Sequence, residues 1–156
     1  MTFKKEDLQV SGSYILIMNA TADRDVTIGA AGILSLREGC YAYAGSAFGP
    51  GGLYARLRHH CYSAARPRWH VDYLRGNVQI NEIVFSCNRE RLECLWAGML
   101  AGLPHSSRPL AGFGASDCHC DAHLFYFPKQ PLLAGFRRFG IHRLMQNQLP
   151  VLNEGA

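Results

Sequence analysis

What the chain lacks narrows it first. No apolar run is long enough to cross a membrane, and the N-terminal MTFKKEDLQV has no apolar core of signal-peptide length. A cytoplasmic protein is therefore expected. There is no internal repeat and no low-complexity segment, and no separate nucleic-acid-recognition domain stands out. Strong net charge is missing: 18% of residues are charged, an ordinary share, and the formal net charge is a modest +4. Such a balance permits a nucleic-acid partner without demanding one, so the placement of the charges decides. Six cysteines in a cytosolic chain read as free thiols or metal ligands and not as a disulfide framework. What is present suffices for one core: 156 residues, 48% of them hydrophobic, predict a single domain over 1–156.

The most informative stretch is GCYAYAGSAFGPGGLYARLRHH, from Gly39 to His60. Tyr41 and Tyr43 alternate with Ala42 and Ala44, so on a strand both phenols share a face. Gly45 ends the strand, and Gly49 to Gly52 break regular structure. A helix follows from about Leu53, with Leu53 and Leu57 on one face and Arg56 and His60 together on a neighbouring one. Phenols, a guanidinium and an imidazole at one strand-to-helix corner suit phosphate chemistry: arginine holds phosphoryl oxygens, and the others move or position protons. Arg56, Arg58, His59, His60, Arg66, Arg68 and His70 concentrate positive charge in one short interval. Within it Arg58, Arg66 and Arg68 are candidate contacts to a nucleic-acid backbone, and His59 reads as a surface residue.

Elsewhere, SYILIM from Ser13 to Met18 reads as a buried strand, and Thr27 to Leu36 as another with bends at Gly29 and Gly32. With the tyrosine strand these make an antiparallel meander. WHVDYL reads as a short helix that offers Trp69, Tyr73 and Leu74 to the core, and Val78 to Phe85 as a strand. Arg89 to Leu103 has the clearest helical period, through Leu92, Leu95, Trp96, Met99 and Leu103. Leu124 to Phe127 reads as a last edge strand stopped by Pro128, and a short helix is expected around Phe136 to Met145.

The order of these pieces resembles the GIY-YIG nuclease family. Gly12-Ser13-Tyr14 stands at the first tripeptide and Tyr43-Ala44-Gly45 at the second, followed by Arg56, His60, His70 and Glu93. HVDYL and GASDCHCDAHLF resemble an uncharacterised bacterial and archaeal branch of that family with a C-terminal SDCxCxxHLF-type motif. The resemblance covers about residues 12–127, leaving 128–156 as a C-terminal extension. Isoleucine is replaced in both tripeptides, and the gap from Tyr14 to Tyr43 is longer than the family's, which predicts an inserted hairpin. The resemblance implies an α/β (α+β) fold with a small, mainly antiparallel sheet flanked by helices. It also implies metal-dependent hydrolysis of phosphodiester bonds in nucleic acid, DNA first, by an endonuclease. In that reading Tyr14 activates the attacking water, Tyr43 positions water and phosphate, and Arg56 stabilises the transition state. His60 and His70 assist, and Glu93 anchors one Mg²⁺ or Mn²⁺ ion. A protein partner that supplies specificity is compatible with it. Two other classes stay open: a non-catalytic nucleic-acid-binding module that keeps the fold, and a zinc-bearing interaction protein.

The cysteines divide into two groups. Cys40, Cys61, Cys87 and Cys94 lie among apolar residues and read as small buried side chains. Cys118, Cys120 and His123 are ligand types suited to zinc, but their spacing is compressed and the sequence shows no second ligand pair. The expectation there is a turn, with Ser116 and Asp117 bonding to the backbone and Cys118 packed inside.

Overall fold

A computed structural model describes residues 2–153 of the chain. A five-stranded sheet is its centre, in the order β6-β4-β1-β5-β7, with every neighbouring pair antiparallel. The strands are β1 (Gly12–Ala20), β4 (Gly39–Ala47), β5 (Gln79–Ser86), β6 (Leu124–Phe127) and β7 (Ile141–Met145). β2 (Arg24–Thr27) and β3 (Ile33–Leu36) form a separate two-stranded sheet between β1 and β4. A hairpin thus occupies the long stretch between Tyr14 and Tyr43, as expected.

β1 is apolar on both faces because both are covered. Tyr14, Leu16 and Met18 point into one core with Tyr41 and Tyr43 of β4 and with Leu53 and Leu57 of α2 (Gly52–Tyr62). Ile15 and Ile17 point into the other core, with Ala42, Ala44 and α3 (Glu93–Ala101). There the fully buried Trp96 meets Phe136 at 5.7 Å and Phe139 at 6.0 Å between ring centroids. Burying an indole of this size contributes on the order of 2–3 kcal/mol. A short helix, α1 (Lys5–Leu8), brings buried Leu8 to the α2 side. Among the described residues no helix is long and apolar enough to cross a membrane.

Several sequence expectations shift. Thr27 to Leu36 is not one bent strand: a 3₁₀ turn at Gly29–Ala31 separates β2 from β3, and the β1-β4 pairing bypasses them, so there is no simple meander. The helix expected around Phe136 to Met145 is a 3₁₀ segment, Ala134–Phe139, followed by the edge strand β7. Gly140 turns the chain there with φ of 68°, and IHRLM then pairs with β5. β6 is an edge strand as expected, though not the last one. On α3, Leu95 faces solvent while Trp96, Ala97 and Leu100 are buried. WHVDYL forms the 3₁₀ helix His70–Leu74, which buries Val71, Asp72 and Leu74 and leaves Tyr73 exposed.

Candidate functional site

The two tripeptides meet across the β1-β4 ladder, where Tyr14 is the register partner of Gly45. The absence of a side chain at Gly45 has a direct use. A Cβ built there would lie 2.4 Å from Tyr14 Cζ and 2.5 Å from its hydroxyl oxygen. The phenol of Tyr14 therefore lies flat over Gly45, with the Tyr43 ring 6.4 Å away. Gly114, at φ of 73°, likewise admits the Tyr43 ring, 2.9 Å from its would-be Cβ. Tyr41 shares the face by parity, but its hydroxyl bonds the backbone of Arg37, so it is a core residue.

From Tyr14 a chain of hydrogen bonds runs inward. Its hydroxyl is 2.7 Å from His60 Nε2, and His60 Nδ1 is 2.7 Å from Asp72 Oδ1. Asp72 is buried and accepts three further bonds at Oδ2: from His59 Nε2 at 3.1 Å, from Arg68 N–H at 3.0 Å and from Trp69 N–H at 3.1 Å. Burial pushes the Asp72 pKa up, but His60 and the two backbone N–H groups outweigh it and hold the carboxyl below its ordinary value. An ionised Asp72 only accepts, which puts the His60 proton on Nδ1. Burial keeps His60 below its ordinary pKa despite Asp72, so the ring is neutral and Nε2 accepts the Tyr14 hydroxyl proton. Burial also raises the Tyr14 phenol well above its ordinary value, against the pull of Arg56 beside it. Tyr43 is raised too, by burial and then by Tyr14. Asp72 was not a sequence candidate, and His59, read as surface, is one of its partners.

A second set of contacts joins Arg56 to Glu93. Arg56 lies over the Trp69 indole at 3.8 Å and donates from Nη1 to the Ser46 carbonyl at 2.6 Å. The Ser46 hydroxyl donates to Glu93 Oε1 at 2.5 Å. The other carboxylate oxygen, Oε2, is 2.8 Å from His123 Nδ1. That approach is off the N–H axis, since Nδ1 makes no aligned hydrogen bond, and it is an ion-pair contact. Burial pushes Glu93 up, but His123 and Ser46 outweigh it and keep the carboxyl below its ordinary value. α3 packs on the sheet face opposite Tyr14 and Tyr43, yet Glu93 at its first turn reaches the end of β4. Its charge is close enough to help raise both phenols.

The remaining candidates are placed differently. His70 Nδ1 accepts the Gly114 N–H at 2.8 Å, and its ring meets Phe113 at 5.5 Å. It holds the loop before β6 and makes no hydrogen bond with the Tyr14 chain. Arg58 is half-buried, and its Nε has no hydrogen-bond partner among the described residues. Arg66 and Arg68 are exposed. An open pocket of about 370 Å³ lies beside Arg56, Arg68 and Trp69, floored by Gly49, Pro50 and Gly52. Its lining does not include Tyr14, Tyr43 or Glu93, and a larger pocket of about 590 Å³ around Leu103 and Leu132 is lined by none of these groups.

The cysteine expectation is overturned at Cys87 and Cys94, both exposed, and Cys61 and Cys118 are only half-buried. Cys94, at the second residue of α3, is exposed rather than packed in the core, and it stands with Cys118, Cys120 and His123. Their ligand atoms all lie within 4.8 Å of one another, a grouping compatible with a metal ion. Three features thus escaped the sequence reading: Asp72, Ser46 and Cys94. Only Cys94 had a sequence signal, as the fourth ligand that a zinc reading lacked.

A family model described as a domain of unknown function, DUF123, matches residues 13–143. No curated protein and no solved structure matches the chain. The match runs from within β1 to within β7 and takes in Tyr14, the second tripeptide, the Asp72 chain and the Cys118 to His123 loop; on that extent the chain belongs to the DUF123 family.

Proposed function

We propose that this chain is a GIY-YIG-type nuclease that hydrolyses phosphodiester bonds in nucleic acid, DNA in the first instance, with one Mg²⁺ or Mn²⁺ ion. The observation that carries the proposal is the Tyr14–His60–Asp72 chain with Arg56 beside it. A phenol raised by burial is a poor phenolate base, so Tyr14 acts as a conduit. Its oxygen takes a proton from the attacking water while its own proton passes to His60 Nε2. Asp72 then stabilises the imidazolium, as a carboxylate does behind a catalytic histidine. Arg56 stabilises the negative charge that builds on the phosphoryl oxygens.

Glu93 fits a hard divalent ion in its donor chemistry. Its carboxylate offers about four lone-pair positions, of which Ser46 takes one and His123 faces another. Magnesium binds few protein oxygens and keeps several waters. When bound, the ion neutralises charge on the leaving oxygen. Arg66 and Arg68, both exposed and Arg68 at the Trp69 pocket, track the backbone of the substrate. A cytoplasmic setting belongs to this reading and agrees with six unpaired cysteines.

One observation favours a second reading, the binding module. Tyr14 is 0% and Tyr43 3% exposed, so both phenols lie almost wholly beneath the surface in this conformation. Cleavage requires the covering side chains to shift when a phosphate arrives; passive binding does not.

Cleavage and affinity measured on the same purified variants separate the two. Substrates are single-stranded, duplex and branched DNA and RNA, in Mg²⁺, in Mn²⁺ and in chelator. The nuclease reading expects metal-dependent cleavage, reduced about 10²- to 10³-fold by Arg56→Ala with a modest loss of affinity. Glu93→Gln abolishes it while binding is equal or tighter. No cleavage by wild type, with affinity loss as the sole effect of Arg56→Ala, establishes the binding module. Equal cleavage by wild type and Glu93→Gln, in metal and in chelator, marks a contaminant.

A further inference from the structure

We propose that Cys94, Cys118, Cys120 and His123 bind one zinc ion, which fixes the loop before β6 to the start of α3. The inference is independent of the nuclease reading. Zinc takes thiolate and imidazole ligands tetrahedrally, at about 2.3 Å to sulfur and about 2.0–2.1 Å to nitrogen. Arms of that length space two sulfurs about 3.8 Å apart, and a sulfur and a nitrogen about 3.6 Å apart. His123 Nε2 is 3.4 Å from Cys118 Sγ and 3.9 Å from Cys94 Sγ. All four ligand atoms fall within 4.8 Å of one another, so a small contraction completes the tetrahedron.

The surroundings are those of a metal-binding histidine. The second ring nitrogen of His123, Nδ1, faces the Glu93 carboxylate at 2.8 Å, while Nε2 faces the Cys94 and Cys118 sulfurs. A carboxylate behind a ligating histidine is the usual outer partner of zinc. His123 is 1% exposed and is set at the entrance to β6 by two backbone bonds, its N–H to the Phe113 carbonyl at 2.7 Å and its carbonyl from the Ala44 N–H at 3.0 Å. The cysteines come from elsewhere, one from α3 and two from the Ser116 to Asp121 turn, and none is in a disulfide. A pocket of about 280 Å³, lined by Cys94 and Cys120, gives solvent a path to the ligands. Four ligands with no further carboxylate among them make a closed site, which stabilises structure and leaves no position for substrate. Glu93 precedes Cys94 and touches His123, so the ion also fixes where Glu93 points.

The test is metal content of the untagged full chain purified under reducing conditions, by plasma mass spectrometry, with release followed by a chromogenic zinc indicator on titration with an organomercurial. Cobalt substitution gives an independent readout. Expected are one zinc per chain, stoichiometric release, and a cobalt form with intense tetrahedral visible bands and a thiolate charge-transfer band. Cys118→Ser and Cys120→Ser, both on the loop, lose most of the zinc, while Cys87→Ser retains it. A metal-free wild type whose six thiols all react in the native state overturns the proposal. So do iron in place of zinc, a disulfide among the three cysteines, or equal zinc in wild type and loop variants. No nucleic acid enters these measurements, so their failure is distinct from a failure of the nuclease reading.

Discussion

Asp72→Asn separates a proton relay from a merely buried polar cluster. Of the four bonds that Asp72 accepts, three converge on Oδ2 and one, from His60, reaches Oδ1. Asparagine keeps an acceptor oxygen at the Oδ2 position and places its NH₂ against His60 Nδ1. Two donors cannot face each other there, so His60 moves its proton to Nε2, which then donates to the Tyr14 oxygen. The connection survives with its direction reversed, and His60 no longer accepts the Tyr14 proton. The stability cost is the exchange of one charge-assisted hydrogen bond for a neutral one, about 1–2 kcal/mol. For a domain of this size that lowers the melting temperature by about 2–8 °C. The activity cost is much larger, about 10²- to 10⁴-fold, because the wrong tautomer stands in the relay. Turnover and affinity are read together with a thermal melt, and the pH profile of turnover is compared with wild type. A variant that is folded, binds and cleaves at the wild-type rate with the wild-type pH profile refutes the relay.

Three further outcomes are expected. Gly45→Ala puts a methyl group 2.4 Å from Tyr14 Cζ and displaces the ring from His60, which costs about 1–3 kcal/mol in a thermal melt; an unchanged melting temperature and near-ultraviolet spectrum count against the packing described. Replacing Arg66 and Arg68 with alanine weakens DNA binding across sequences and flattens the plot of log affinity against log salt by about one unit per lost phosphate contact, and an unchanged slope removes them from the interface. His60, surrounded by Tyr14, Tyr43, Asp72, Arg56, His59 and Trp69, is held below its ordinary value of 6.5, so the unfolded chain binds its proton first. Its contribution to stability is complete above that pH and fades as pH falls toward the folded value. Asp72, held below 3.8, keeps its contribution until more acidic pH still. Because His123 is raised and shifts stability the other way, the readout is the melting-temperature difference between wild type and His60→Gln; a difference that grows in favour of wild type from pH 7 to 5.5 contradicts a neutral buried His60.

How far the sequence carried depended on what kind of signal each element leaves. β1, β4, β5 and β6 were legible because apolar, partly β-branched runs end at turn formers, and the hairpin because the Tyr14 to Tyr43 stretch is long and rich in turn formers. β7 was not: IHRLM mixes polar and apolar residues at an edge, and its pairing with β5 is decided by tertiary contact. Tyr14, Tyr43, Arg56 and His60 stood out as uncommon chemistry near one corner. Asp72 is a lone carboxylate twelve residues past its partner, and only the 3₁₀ turn at His70–Leu74 brings it under His60. Cys94 is separated from Cys118 by a helix and a loop, so no local spacing links them. Ser46 was ordinary in composition, and its hydroxyl matters only because Glu93 arrives from the other sheet face.

Ser46 carries a consequence beyond its two bonds. Its carbonyl holds the guanidinium and its hydroxyl holds the carboxylate, so a single residue serves as a spacer between opposite charges. No Arg56–Glu93 ion pair forms among the described residues. Had the two met directly, each would have neutralised the other and neither would answer to a ligand. Held apart by Ser46, the guanidinium stays ready for an anion, while the carboxylate is shared between Ser46 and His123. The last turn of β4 thus keeps an electrostatic dipole cocked across the site, and shifting the strand by one residue would discharge it.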